Sequence, residues 1–228
     1  MSDESAERRD SHALEPEIIK NPQERAEAEA RNGLRQYDAG IAAAKEAIER
    51  GTFKLRPSLI LALHRQALAG ISHFAGNFRP GSVEISKSHH SPPGAHLVPE
   101  LVEDLCDYVN DRWKAASAIH LAAYVMWRLN WIHPFADGNG RTSRIVSYVV
   151  LTVKCGFVLP GTPTIADQIV SDRRGYFAAL DEADDALRCG MLDVTKMESL
   201  LSGMLARQLA AFYESVGGKL PAGTPPNA

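Results

Sequence analysis

The sequence of 228 residues lacks several features that identify common protein classes. Its longest apolar run, around residues 145–153, is far below the about 20 residues that a membrane-spanning helix needs. Residues 1–5 do not show the basic and then apolar pattern of a secretion signal. The sequence therefore predicts a cytoplasmic protein that has no membrane partner.

Cysteine is scarce, and the common zinc and nucleotide motifs are missing. The three cysteines, Cys106, Cys155 and Cys189, are widely spaced, which favours buried thiols in a reducing compartment over a disulfide framework. Neither HExxH nor CxxC occurs, which argues against a zinc site, and without GxxxxGK[ST] a Walker P-loop is excluded. A net charge of −3 and a pI near 6.2 argue against a nucleic-acid-binding surface.

Helical periodicity fills most of the chain between two polar ends. Residues 1–15 are polar and residues 217–228 are rich in proline and glycine, so both ends are predicted to be disordered. A long helix is predicted from Asn21, as the N-cap before Pro22, to Gly51 as the C-cap, with two helices or a kinked helix as the alternative because Gly33 and Gly40 weaken it. Its predicted buried face consists of residues at helical spacing: Leu34, Tyr37, Ile41, Ala44 and Ile48.

Further helices are predicted at similar spacing, the first capped by Ser58, over residues 58–70, 101–113, 118–129, 141–154, 167–183 and 197–212. The third of these is apolar nearly all round and should lie at the centre of the core. His64 is predicted to be a packed or solvated histidine rather than a ligand. Val83 and Ile85 alternate with polar neighbours and predict one short, half-buried strand.

A dense group of polar residues, His133–Arg144, lies between two apolar helices. Gly138 and Gly140 can adopt positive φ, which lets successive N–H groups turn inward as an anion nest. Helical periodicity resumes near Arg141, so the nest would lie at a helix N-terminus, where the helix dipole also favours negative charge. Arg141 and Arg144 are three residues apart and would direct their guanidinium groups at the same anion.

Two more residues of this stretch supply metal and acid–base chemistry. Asp137 precedes the nest, and Mg²⁺ is commonly held by one or two carboxylates together with phosphate oxygens. His133 can exchange a proton near neutral pH. Each feature alone is common in ordinary loops, but the combination indicates phosphoryl or nucleotidyl transfer.

Taken in order, these residues match the pattern HxFx[DE]GNGRxxR, and the chain thereby resembles the Fic family over about residues 58–192. The resemblance implies an all-α helical bundle, the Fic fold, with one small β-hairpin flap that contains Val83 and Ile85. It leaves an N-terminal helical extension, residues 16–57, and a C-terminal helix, residues 193–216, which would pack on the core or on a second subunit.

The resemblance also implies a role for each residue of the motif. His133 would be the general base that deprotonates the acceptor hydroxyl, and Asp137 would hold Mg²⁺ or Mn²⁺ against the phosphates of ATP. The other motif residues would bind the nucleotide: Phe135 as the anchor of the loop, Gly138, Asn139 and Gly140 as the anion hole, Arg141 at the leaving pyrophosphate, and Arg144 at the γ-phosphate.

Two residues outside the motif have two interpretations each. Tyr176 lies where the Fic family walls its nucleotide pocket, so it would stack on the nucleotide base or else be an ordinary core residue. Glu29 lies where self-inhibiting Fic proteins carry a glutamate that pairs with the second arginine of the motif, here Arg144. The chain lacks the [ST]xxxE[GN] pattern of those proteins, and a solvated surface acid is the alternative.

The activity that the resemblance implies is transfer of AMP from ATP to a Ser, Thr or Tyr hydroxyl of a target protein, with release of pyrophosphate. The target would pair with the Val83–Ile85 strand if its edge is free.

A second interpretation uses another donor, such as another nucleotide, phosphocholine, or ATP in a Doc-like kinase, although that branch typically has Lys at the position of Gly140. A third is a non-catalytic binding module, against which the intact His133, Asp137 and Arg141 argue. A homo-oligomer and the identity of the target stay open.

Overall fold

The computed structural model of the chain describes residue 9, residues 11–12 and residues 16–218. The described part contains eight α-helices: α1 (Pro22–Arg50), α2 (Pro57–Leu68), α3 (Val98–Asp111), α4 (Ala118–Ile132), α5 (Asn139–Cys155), α6 (Ile165–Ser171), α7 (Arg173–Arg188) and α8 (Thr195–Ser215). Two short strands, β1 (Ser11–His12) and β2 (Glu84–Ile85), pair antiparallel with Ser11 opposite Ile85. The predicted all-α class is confirmed.

Helices α4 and α5 pack against each other at the centre of the molecule. Every residue from Leu121 to Trp127 in α4 is buried, as its apolar sequence predicts. Helices α1 and α2 cover α5, while α3, α7 and α8 cover α4. The loop 133–138, which joins α4 to α5, therefore connects two helices that are themselves held in the core.

Helix α1 has the predicted bounds and is a single helix through Gly33 and Gly40, but it buries a different face. The Asn21 side chain accepts hydrogen bonds from the N–H groups of Gln23 and Glu24, and Gly51 ends the helix in the left-handed conformation. The predicted face is wrong at Leu34, which is 70% exposed, and at Tyr37, which is 41% exposed. The face that is buried consists of small and amide residues: Ala28, Asn32, Gln36, Gly40 and Ala44.

This small-residue face lets α1 lie close to α2 and α5. A Cβ atom on Gly40 would come within 2.7 Å of Ile145 Cδ1, so glycine makes that approach feasible. Asn32 and Gln36 donate from their side-chain amides to backbone carbonyls of residues 69 and 63, at 2.8 and 3.2 Å. An interface made of glycine and amides gives no apolar periodicity, which explains why the pattern of leucines and isoleucines pointed elsewhere.

Three other local predictions are wrong. Helix α2 is capped by the backbone of Arg56 with Pro57 at its first position, and not by Ser58. The helix predicted over residues 167–183 is divided into α6 and α7, because Asp172 is extended and its side chain accepts from the N–H of Arg174. Strand β2 does not belong to a hairpin, since its partner is β1 from the beginning of the chain.

The predicted disorder of residues 1–15 is wrong at Ser11–His12, which form β1. The other residues of that segment, apart from Arg9, lie outside the described residues, as do residues 219–228 of the predicted disordered tail.

Helix α8 packs on α4, α6 and α7 of its own chain, which decides one of the two predicted alternatives for it. The prediction of buried thiols is confirmed for Cys106 and wrong for Cys189, which is exposed. Within the described ranges, no helix combines the length and the apolar character needed to cross a membrane.

Candidate active site

His133 lies at the end of α4, where the backbone fixes its position. It is the C-cap of the helix at φ 51°, a left-handed conformation that is uncommon for a residue with a side chain. Its Nδ1 is 3.2 Å from the carbonyl oxygen of Asn130 and, because a carbonyl only accepts, Nδ1 carries the ring proton. Nε2 is then the accepting nitrogen, and it lies 2.7 Å from Ser11 Oγ.

Burial keeps the His133 imidazole neutral. Its loss of hydration lowers the pKa from 6.5 to about 4, and the hydrogen bond to Asn130 opposes this shift only in part. The nearby His90 and Arg79 are smaller causes of this lowered pKa, and Asp137 opposes it. Nε2 is therefore unprotonated at neutral pH, which is the form that a general base needs.

Arg79 connects residues 81–93, the flap segment that contains β2, to the loop that carries His133. No motif in the sequence pointed to Arg79. Its buried guanidinium donates to the carbonyls of His133 and Gly81, at 2.8 Å each, and to that of Pro93. Its own N–H donates to Pro134 O at 2.9 Å. The five donors of an arginine suit a site with several carbonyls. In the sequence, a single arginine before Pro and Gly looks the same as a solvated loop residue.

Asn139 and Phe135 clamp the middle of the loop. The Asn139 side chain accepts from the Phe135 N–H at 2.9 Å and donates to the Phe135 carbonyl at 2.8 Å. The Phe135 ring is fully buried and stacks on His64 with 3.7 Å between ring centroids. The structure thus places Phe135 beneath the loop, where the resemblance expects an anchor, and gives the Asn139 amide a positioning role.

His64, on α2, holds the next part of the loop from the other side. Its Nδ1 accepts from the Gly76 N–H at 2.9 Å, so its Nε2 carries the proton and donates to the Asp137 carbonyl at 3.0 Å. Burial lowers the pKa of His64 to about 4. The prediction of a packed histidine is confirmed, but its link to the loop was not readable from the sequence, because 73 positions separate the two residues.

The two glycines of the motif have different tasks. Gly138 is the N-cap of α5 at φ 77°, and a Cβ there would lie 2.4 Å from Leu68 Cδ2, so a glycine is needed on both counts. Gly140 has no positive φ and belongs to the first turn of α5. The first N–H groups of an α-helix have no partner within the helix, so those of Asn139, Gly140 and Arg141 are available to an anion at this end of α5.

Helix α1 adds two charged residues to the motif. Asp137 pairs with Arg25 at 3.2 Å and with Arg141 at 3.3 Å. Glu29 pairs with Arg25 at 3.2 Å and approaches Arg141 at 3.8 Å. Glu29 therefore approaches the first arginine of the motif, Arg141, whereas the predicted partner was the second arginine, Arg144.

These residues surround a cavity of about 260 Å³. Tyr176 lines it and is also buried, with its hydroxyl 2.8 Å from Asn130 Nδ2, so the position is compatible with both of its interpretations. Val83 is buried away from the cavity, whereas Ile85 contributes to its wall. The other predicted site residues that line the cavity are His133, Asp137, Gly138, Asn139, Gly140, Arg141, Arg144 and Glu29.

The model of the Fic/DOC family matches residues 54–151, a range that contains α2, α3, α4, most of α5 and the whole motif. This region of the chain belongs to the Fic/DOC family. Its Fic region is 33% identical over 127 residues to "Protein adenylyltransferase fic-1" of Caenorhabditis briggsae, which covers 55% of this chain and 23% of that protein. It is also 33% identical over 133 residues to "Protein adenylyltransferase Fic" of Nematostella vectensis, with 55% and 28% covered. The chain thus spans about a quarter of the length of these relatives.

Solved structures show the same Fic fold. A Fic-domain-containing signalling protein from Bacteroides thetaiotaomicron superposes with a TM-score of 0.65 at 22% identity, over 83% of this chain and 74% of that one. Fic-1 from Caenorhabditis elegans superposes with a TM-score of 0.63 at 22% identity, over 86% and 55% of the two chains. The predicted Fic fold is therefore confirmed.

Proposed function

We propose that this Fic protein transfers AMP from ATP to a hydroxyl group of a protein. The observation that carries the proposal is the 2.7 Å contact between Nε2 of the neutral His133 and a serine hydroxyl, inside the cavity that the motif lines. A general base must lie at such a distance from the proton that it removes. The names of the curated relatives, protein adenylyltransferases, support AMP as the group that is transferred.

The same cavity suits a triphosphate. The N-terminus of α5 offers N–H donors and the positive end of a helix dipole, and Arg141 and Arg144 also line the cavity. Charge that develops on a phosphate during transfer is stabilised by donors that are already in place. In this proposal Arg141 and Arg144 bind the phosphates that leave, while the α5 N-terminus binds the phosphate that is attacked.

Asp137 fits a magnesium ion. Its carboxylate lines the cavity, is about one-third exposed, and presents hard oxygen ligands, which Mg²⁺ prefers in combination with phosphate oxygens. Binding of the ion would replace the contacts of Asp137 with Arg25 and Arg141. The bound Mg²⁺, or Mn²⁺ in its place, supplies positive charge that neutralises the phosphates.

The proposal is tested by incubating the chain with ATP labelled at either the α- or the γ-phosphate, with Mg²⁺ and an added protein mixture. We expect protein-bound label from α-labelled ATP alone. His133→Ala should lower the rate by on the order of 10²–10⁴-fold, which is the usual contribution of a base, while ATP binding measured by calorimetry stays near the wild-type value.

Each other outcome identifies a different function. Protein-bound label from γ-labelled ATP would show a kinase, and faster transfer from another α-labelled nucleotide would show a different donor. If the wild type and Glu29→Gly both bind ATP but transfer no label, the chain is a binding module. Chelation of divalent ions with full activity retained would overturn the assignment of Asp137.

A further inference from the structure

We propose that Ser11 accepts AMP from the active site of its own chain, so that the N-terminal segment occupies the place of a protein target. The inference rests on the proposed function and names one acceptor for it.

Three independent anchors hold the segment in the cavity. The Arg9 guanidinium forms two hydrogen bonds with the carboxylate of Asp181, at 2.8 and 2.7 Å, and lies 4.5 Å from the ring centroid of Phe177. Two residues further along, β1 pairs with β2 of the flap, with Ser11 opposite Ile85. The third anchor is the bond from Ser11 to His133. Backbone pairing and a paired arginine together set the register, which selects Ser11 over its neighbours.

The Ser11 hydroxyl lies at the point where an acceptor must lie. Its Oγ is 2.7 Å from His133 Nε2 and 3.5 Å from Asn139 Nδ2, the first residue of α5. Since the proton of His133 is on Nδ1, the serine hydroxyl is the donor to Nε2. Ser11 Oγ therefore lies between His133 and the N-terminus of α5, which would bind the α-phosphate.

The reaction balances with ATP as the only co-reactant. The bond between Oγ of Ser11 and the α-phosphorus forms, while the bond from that phosphorus to the oxygen bridging to the β-phosphate breaks. The electron pair of the broken bond leaves with pyrophosphate. The hydroxyl proton passes to Nε2 of His133 and from there to water. The product is Ser11 with AMP in a phosphodiester link.

Because β1 covers the edge of β2, an extended target segment would have to displace it before pairing there. The segment belongs to the same chain, so its effective concentration at the site is far above that of a dilute target, on the order of millimolar for short links. The edge of β2 that pairs with β1 is therefore occupied by the protein itself, and modification of Ser11 is the intramolecular counterpart of target modification.

The test is peptide mapping by mass spectrometry after incubation of the full chain with Mg²⁺ and ATP, in the wild type and in Glu29→Gly. We expect one AMP on the peptide that contains Ser11, at a rate that does not depend on protein concentration. Ser11→Ala should reduce label from α-labelled ATP to the level of His133→Ala, and Ser11→Thr should retain it. Ser199→Ala, at an exposed serine of α8, is the matched control and should label as the wild type does.

A tagged His133→Ala chain with an intact Ser11, mixed with the wild type, should stay unlabelled. Labelling of that chain at Ser11, or AMP on other residues or on an added protein while Ser11 stays unmodified, would overturn the proposal and leave the proposed function standing. If neither the wild type nor Glu29→Gly transfers α-label to any protein, the proposed function and this inference both fail.

Discussion

At the scale of single residues, burial rather than a charged partner controls the chemistry of His133. Loss of hydration is the largest cause of its lowered pKa of about 4, against 6.5 for a solvated histidine. The neutral ring is the active form of a base, so transfer requires a pH above this pKa. We expect the rate at saturating Mg²⁺ and ATP to be flat from about pH 8 down to about pH 6 and to fall only as the pH approaches 4.

The measurement is the pH dependence of AMP transfer in the first turnover. The residual rate of His133→Ala serves as the control, because without the imidazole it should show no decrease at acid pH that is due to His133. An acid limb centred near pH 6.5 would mean that His133 is hydrated as in solution.

The motif residues were predictable because they are contiguous. A histidine at the end of a helix, a glycine N-cap and arginines on the first turns acquire their geometry from the spacing in the chain alone. The residues that complete the site come from far away in sequence: Arg25 lies 112 positions from Asp137, His64 lies 73 positions from it, and Ser11 lies 122 positions from His133. Such contacts depend on how helices pack, which local patterns do not contain.

At the scale of elements, α1 brings negative charge to the arginine that would bind a leaving phosphate. Glu29 contacts both Arg25 and Arg141, so a triphosphate has to compete with a carboxylate for these cations. We expect Glu29→Gly to raise AMP transfer several-fold at subsaturating ATP and to lower the KM for ATP.

A glycine in the interior of a helix costs roughly 1 kcal/mol relative to alanine, so a control is needed. Glu27→Gly changes an exposed acid two residues earlier on the same helix. It should lower the melting temperature by a similar amount and leave the KM unchanged. Equal kinetics in the two variants would make Glu29 a surface acid, the alternative that the sequence left open.

Helix α2 positions the loop through His64, and the two nitrogens of this ring can be separated by substitution. Glutamine places an amide nitrogen where Nε2 lies and so keeps the donor to the Asp137 carbonyl; asparagine places an oxygen where Nδ1 lies and keeps the acceptor for the Gly76 N–H. Both lose the stacking on Phe135. We expect similar losses of melting temperature, but a lower kcat for His64→Asn than for His64→Gln.

The readouts are the melting temperature and kcat for AMP transfer, taken together. If kcat merely follows the melting temperature in both variants, then His64 acts through stability alone and the bond to Asp137 has no separate effect on the loop.

At the scale of the whole molecule, the helical content was predictable and the way the helices meet was less so. The apolar sequence of α4 indicates a central helix, because it leaves no face for solvent. The face of α1 was misassigned, because glycine and amides make its contacts. The pairing of β1 with β2 could not be read either, since two residues are too few to show an alternating pattern.

The three thiols differ in how deeply they are buried, so their reactivity should differ as well. Burial raises the pKa of Cys106 to about 12 and also raises that of Cys155, so little of either is thiolate at pH 8. Cys189 is exposed at the end of α7. We expect a thiol reagent to modify one cysteine rapidly in the native protein and all three in denaturant. Cys189→Ser should abolish the rapid phase, and Cys106 should react only as fast as the core opens. Rapid modification of Cys106 in the native state would contradict the close packing of α3 against α4.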